Sequence, residues 1–164
     1  MLKLYHGSNV IINEIDLCLS RKGKDFGCGF YLNPNESQAM EMAIRTTQRQ
    51  KEGKPIVNTF IFDETVLTDE SSPLSVKVFV DYSKEWAEFI LMNRKNLTST
   101  PAHTYDIVIG PIANDDVRTQ FVKHMLGEIT EIELMENLKW KRCTYQYCFI
   151  SDEAISSLKI IGKL

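Results

Sequence analysis

Basic charge is the first thing this sequence lacks. Lysine and arginine number 19 against 22 aspartates and glutamates, a formal charge of −3. A duplex-binding module living off phosphate contacts would normally show a basic face. Only Arg21, Lys22 and Lys24 sit close together, and such a cluster is more often a solvated loop than a site. Long apolar runs are missing too. No stretch approaches the roughly 18 residues that span a bilayer, and the start, Met1-Leu2-Lys3-Leu4-Tyr5, turns polar without the apolar core of a signal peptide. A cytoplasmic location and no membrane partner are expected. Cys18, Cys28, Cys143 and Cys148 form no C-x-x-C pair, and His6, His103 and His124 are scattered. That spacing fits neither a zinc site nor a disulfide framework, so reduced thiols and no metal are expected. Linkers, repeats and low-complexity tracts are also absent. The 164 residues are expected to form one domain, 1–164, burying about two thirds of the surface an unfolded chain exposes.

What is present reads as interspersed strands and helices. Residues 2–6 alternate like a strand stopped by Gly7-Ser8-Asn9, and a polar loop from Leu19 to Gly29 leads into a short strand, Phe30 to Leu32. Asn33 is expected to cap a helix with Pro34 in its first turn and Glu36 three residues after the cap. Ala39, Met40, Ala43 and Ile44 then form one apolar stripe, ended by Gly53-Lys54-Pro55. Residues 57–62 and 75–80 are β-rich. Ser83 opens a helix whose Trp86, Phe89 and Ile90 share a face. A run from Tyr105 to Ile109 is expected to halt at Gly110-Pro111. Asn114 or Asp115 caps the next helix, and Thr130 with Glu133 makes a capping box for another. A strand at 145–150, a helix opened by Ser151 and a strand at 158–161 complete the chain. Without a strict βαβ rhythm, the order points to a mixed α+β fold rather than a doubly wound sheet.

Two small motifs carry the chemistry. His6-Gly7-Ser8 puts an imidazole at a strand end, then a residue without a side chain, then a hydroxyl. Gly7 would let a ligand approach the backbone, where a planar carboxamide can pair with both N–H and C=O. In Gly27-Cys28-Gly29-Phe30-Tyr31 the two aromatics point to opposite faces of a strand, one for the core and one free to stack on a flat heterocycle. Each motif alone is weak. A strand-end histidine is commonly structural, and a glycine pair before a strand is commonly turn chemistry. No helix opens directly after the glycines, so this is not the dinucleotide fingerprint.

Together, Leu4-Tyr5-His6-Gly7-Ser8 and Asp25-Phe26-Gly27-Cys28-Gly29-Phe30-Tyr31-Leu32, followed by Ser37-Gln38-Ala39, resemble the signature of ADP-ribosyltransferases of the His-Tyr-Glu type. That group includes diphtheria toxin and the poly-ADP-ribose polymerases. The chain is most similar to small bacterial proteins of this kind, sometimes encoded in toxin–antitoxin-like arrangements. Tyr105-Asp106-Ile107-Val108-Ile109-Gly110-Pro111 and Gln146-Tyr147-Cys148-Phe149 extend the likeness over most of the chain. The resemblance implies an ADP-ribosyltransferase-like split β-sandwich, two bent and mainly antiparallel sheets with flanking helices. It implies NAD as substrate, ADP-ribose transfer to a protein or nucleic acid, and, by family context alone, a toxin role with a cognate antitoxin.

Residue by residue, the resemblance assigns His6 to the adenosine ribose, Gly7 to the nicotinamide carboxamide through its backbone, and Tyr31 to stacking on the nicotinamide ring. Ser8 and Gly29 complete the two motifs. Gln38 lies where the polymerases often use a serine against the carboxamide, and Arg21 is a candidate for the pyrophosphate. The third signature position departs from the pattern. Where active transferases carry a glutamate, this sequence has Gln146, which can orient a ribose hydroxyl but cannot offer a full negative charge to a cationic transition state. Glu153 is expected to cap the following helix, and Glu88 to lie on a solvated face. The segment 110–116 reads as helix capping or as an acceptor contact. Two outcomes follow: a mono-ADP-ribosyltransferase with His6, Tyr31 and Gln146 as its catalytic set, or a weak or inactive module of the same fold that binds NAD, ADP-ribose or a protein.

Overall fold

A computed structural model describes residues 1–113, 115–139 and 144–163. Asn114, expected as a helix cap, and Cys143, expected as a reduced thiol, lie outside the described residues. In chain order the strands are β1 (Leu2–Ser8), β2 (Phe30–Leu32), β3 (Ile56–Phe62), β4 (Val76–Val78), β5 (Ile107–Pro111), β6 (Tyr145–Phe149) and β7 (Leu158–Lys163). The α-helices are α1 (Glu36–Gln50), α2 (Lys84–Lys95), α3 (Asp115–Met125), α4 (Glu131–Lys139) and α5 (Asp152–Ser156). The result is an α+β fold.

The strands form two sheets, ordered β1-β3-β7 and β2-β6-β5-β4. Every pairing is antiparallel except β4 with β5. Strand alternation decides the layering. Leu4, Phe60 and Phe62 from the first sheet meet Leu32, Ile107, Ile109 and Phe149 from the second in one buried cluster. The Phe62 and Phe149 rings pack edge to face at 5.1 Å. Burying such a phenylalanine is worth roughly 1.5–3 kcal/mol. The opposite face of the second sheet sends Val108 and Cys148 into another cluster, covered by Trp86 and Ile90 of α2, Val117 and Phe121 of α3, and Leu134 and Leu138 of α4. Phe30 faces the first cluster and Tyr31 the second, as the strand alternation predicts. Helix α1 packs on β1 from outside.

Several short-range expectations hold. Ser83 caps α2 by accepting from the Trp86 N–H, Ser151 caps α5 from Ala154, and Thr130 and Glu133 bond each other's backbone N–H groups. Glu153 sits in the first turn of α5, and Glu88 is exposed.

Two expectations are corrected. The cap of α1 is Asn35, which accepts from the Gln38 N–H. Asn33 cannot serve because its backbone exchanges two hydrogen bonds with Tyr5, each 2.8 Å, and its side chain turns the Asn35 N–H instead. Gly110-Pro111 do not halt β5; they lie inside it, paired with Gln146 and Tyr145. The bond from Ile112 N–H to the Thr144 carbonyl sets the alternation. Pro111's missing N–H therefore faces the β4 side, beyond the point where β4 has ended, and removes no ladder bond.

Candidate functional site

β1 and β2 are edge strands of different sheets, and their backbones pair once, at the bridge between Tyr5 and Asn33 just after β2. Continuing that ladder would pair Gly7 with Tyr31. It stops instead. Tyr5 turns its N–H and C=O toward Asn33, so Gly7, two residues on, turns its own pair to the same edge. Among the described residues, no hydrogen bond closes on that edge of Gly7. The Tyr31 carbonyl is taken by His6, whose Nδ1 lies 2.8 Å away. A carbonyl only accepts, so Nδ1 carries the proton and Nε2 is left as an acceptor. The half-buried imidazole stacks on Phe30, with ring centroids 4.5 Å apart and planes at 21°. Burial holds its pKa below the ordinary imidazole range, against a smaller opposing pull from the Tyr31 carbonyl. The ring is neutral near pH 7.

Gly7 is required for a second reason that the sequence did not reveal. A Cβ there would lie 1.9 Å from the Ala39 carbonyl oxygen and 2.6 Å from the Ala43 nitrogen, both in the α1 backbone. Ala39 and Ala43 are the buried part of the α1 stripe, whereas Ile44 is exposed. Gln38 meets the split through Asn33, whose Nδ2 donates to Gln38 Oε1 at 2.7 Å. Ser8 is buried, and its hydroxyl accepts from Val10 N–H in the turn after β1.

The glycine motif is occupied by its own stitching. Gly29 N–H donates to Ser20 Oγ at 2.6 Å, and the Ser20 hydroxyl donates back to the Gly29 carbonyl. A Cβ on Gly29 would lie 2.5 Å from Cys148 Sγ and 2.8 Å from the Phe149 carbonyl, so its role is close approach to β6. The Tyr31 hydroxyl donates to the Gly27 carbonyl at 2.7 Å and accepts from Phe26 N–H at 3.0 Å. Burial, with the Cys148 thiol beside it, pushes the phenol pKa well up. Tyr31 therefore meets His6 through its backbone, while its half-buried ring lies over Phe26 on the other face of the sheet.

Gln146 stands on β6 one step beyond the Leu32–Tyr147 pair, beside Asn33 in register. It shares a strand face with Cys148 and hence with the Tyr31 ring. Its Nε2 donates to Asp25 Oδ2 at 3.1 Å. Asp25 Oδ1 in turn accepts from Arg94, 2.7 Å from Nε and 2.6 Å from a terminal nitrogen. Both charged groups are mostly buried, with side chains 15% and 28% exposed. The sequence reading assigned no role to Asp25 or Arg94.

Arg21 lies in an electropositive corner. The Lys24 pKa is lowered by partial desolvation first, then by the charges of Arg21 and Arg49, with Asp25 opposing and Arg94 adding a little. Arg21, Arg49 and Arg94 thus stand near enough to Lys24 to act on it, although the chain as a whole is acidic. Next to them opens a cavity of about 460 Å³, lined by Lys24, Asp25, Arg94 and Arg118 over an apolar floor including Trp86 and Phe121. His6, Gly7 and Tyr31 do not line it. A second cavity of about 600 Å³ lies against α4, among Tyr82, Ile132 and Met135, away from every motif above. No group of three or more metal-ligating side chains occurs among the described residues, nor is any helix there long and apolar enough to cross a membrane.

A protein-family profile matches residues 2–160. The chain belongs to that family, whose description is Protein of unknown function (DUF3990). Searches of curated proteins and of solved structures each found no match. The matched span takes in both motifs of the split as well as Asp25, Arg94 and Gln146, so the family covers the whole candidate site.

Proposed function

We propose that this chain binds NAD in the split between β1 and β2 and transfers ADP-ribose to a macromolecular acceptor. The observation that carries this reading is the halted ladder. Gly7 is buried, but its N–H and C=O stand on an unpaired edge, matching the donor and acceptor of a carboxamide, and a neutral His6 beside them keeps Nε2 as an acceptor for a sugar hydroxyl. Gln38 supplies a second amide near the split, and Gln146 an amide on the adjoining strand, on the face that also carries the Tyr31 ring. Arg21, Lys24 and Arg49 give the pyrophosphate a cationic end. In the reaction the bond from nicotinamide nitrogen to ribose breaks and its electron pair leaves with nicotinamide. The acceptor nucleophile bonds the same carbon and releases a proton. No metal takes part. A cognate antitoxin as partner is a corollary resting on the family resemblance alone.

The test uses NAD labelled in its adenylate phosphate, mixed with cell lysate and scored separately on protein and nucleic acid. Label should transfer to one of the two, and H6A should lower the rate about tenfold, the worth of one hydrogen bond. Neither transfer nor NAD hydrolysis across broad acceptor pools overturns the enzyme reading. The pairing of Gln146 to Asp25 favours a second reading, a binding module without turnover. Calorimetric NAD binding with no chemistry supports that alternative.

A further inference from the structure

The amide of Gln146 is not free to choose its orientation. Asp25 Oδ2 can only accept, so it draws Nε2 toward itself, and Arg94 clamps the other carboxylate oxygen. Oε1 then has no hydrogen-bond partner among the described residues. No buried side-chain nitrogen or oxygen there lacks a partner, so Oε1 must reach the surface. The arrangement presents a fixed acceptor oxygen at the signature position, with a negative charge one hydrogen bond behind it.

We infer that Asp25 is a positioning residue: it fixes the Gln146 amide so that Oε1 accepts from a ribose hydroxyl of NAD, the accepting half of what a glutamate would do there. This rests on the NAD reading above. It also changes what Q146E does. A glutamate at 146 would set two carboxylates within hydrogen-bond distance, and like charges that close repel. Q146E alone therefore loses activity instead of gaining it. D25N combined with Q146E removes the repulsion, because the new amide donates to the new carboxylate while Arg94 keeps an acceptor.

The experiment is a cycle of wild type, D25N, Q146E and the double variant, scored for kcat and KM in NAD cleavage. D25N should lower kcat on the order of tenfold, the usual scale for losing an orienting partner, with little change in KM. The double variant should exceed both single variants. A merely structural Asp25 would leave the double variant no better than the worse single one, and that result overturns the proposal. A second readout needs no turnover: the side-chain amide resonances of Gln146 should shift and lose their distinct environment in D25N. R94K, which keeps the charge but not the fork, should move the same resonances less, and it serves if D25N does not fold. Resonances unmoved in either variant overturn the positioning role. A wild type that neither binds nor cleaves NAD brings down the NAD reading instead, while the resonances still decide the link between Asp25 and Gln146.

Discussion

β1 and β2 share one backbone bridge and are each paired to a neighbour in their own sheet, yet they differ in length and in what else holds them. β1 is seven residues long, paired to β3 along its whole length and pressed against α1 at Gly7. β2 is three residues long and paired to β6 throughout, and side chains add to that pairing and secure the loop before it: Ser20 on Gly29, the Tyr31 hydroxyl on Gly27 and Phe26, His6 on the Tyr31 carbonyl. Backbone pairing leaves the far edge of β1 unpaired at Gly7, a buried residue. Stitching by side chains consumes the polar groups around β2. A ligand reaching the split would find the Gly7 pair unbonded, but on the β2 side it would meet groups already committed.

The difference can be broken from the β1 side with G7A. Its new methyl would collide with the α1 backbone, which cannot step aside as a side-chain tip would. A loss of about 3 kcal/mol is expected, at the upper end for overpacking, measurable as a lowered urea midpoint. Stability within about 0.5 kcal/mol of wild type, the scale of a neutral surface change, would mean that the crossing of α1 and β1 is not tight. Y31F breaks the other side. It leaves the half-buried Gly27 carbonyl and the Phe26 N–H without their partner, and a fully buried group so orphaned costs about 1–3 kcal/mol. About 2 kcal/mol is expected, with the ring still in place. If Y31F is neutral, the loop before β2 does not depend on that hydroxyl.

His6 joins the two strands and gives the smallest, pH-dependent effect. Its folded pKa lies below its unfolded one, so the unfolded chain takes the proton more readily. The His6 contribution is full above about pH 6.5, the ordinary imidazole value, and is lost as pH falls through it toward the folded value. Unfolding midpoints of wild type and H6Q measured across pH 5 to 8, the range in which histidine titrates, should differ in slope, with the variant flatter. Equal slopes would show that the ring gains its proton as easily folded as unfolded.

Features that depend on near neighbours were legible in the sequence. The Ser83 and Ser151 caps, the Thr130–Glu133 box and the opposite faces of Phe30 and Tyr31 each need only a few residues of context. The same rules misplaced the α1 cap by two residues, because the Asn33 backbone belongs to a bridge with Tyr5 that no local pattern announces. The pairing of Asp25 with Arg94 spans 69 residues, and the approach of Arg49 to Lys24 depends on where α1 ends. Gly7 was legible as a place for close approach. Only the fold names α1 as the neighbour on one side of it.

An uncovered strand edge is ordinarily a hazard, since a strand from another molecule can add to it and start aggregation. In this fold the unpaired edge of β1 is only a few residues long. The Asn33 bridge closes it at one end, the imidazole of His6 stands where a continued β2 would pair, and the chain bends away after Ser8 where the Asn58 side chain takes Ile12 N–H and the Val10 carbonyl. An added strand would find room for too few bonds to hold. Under the NAD reading, the same short run of unpaired groups suits a small planar group where it cannot hold a polypeptide.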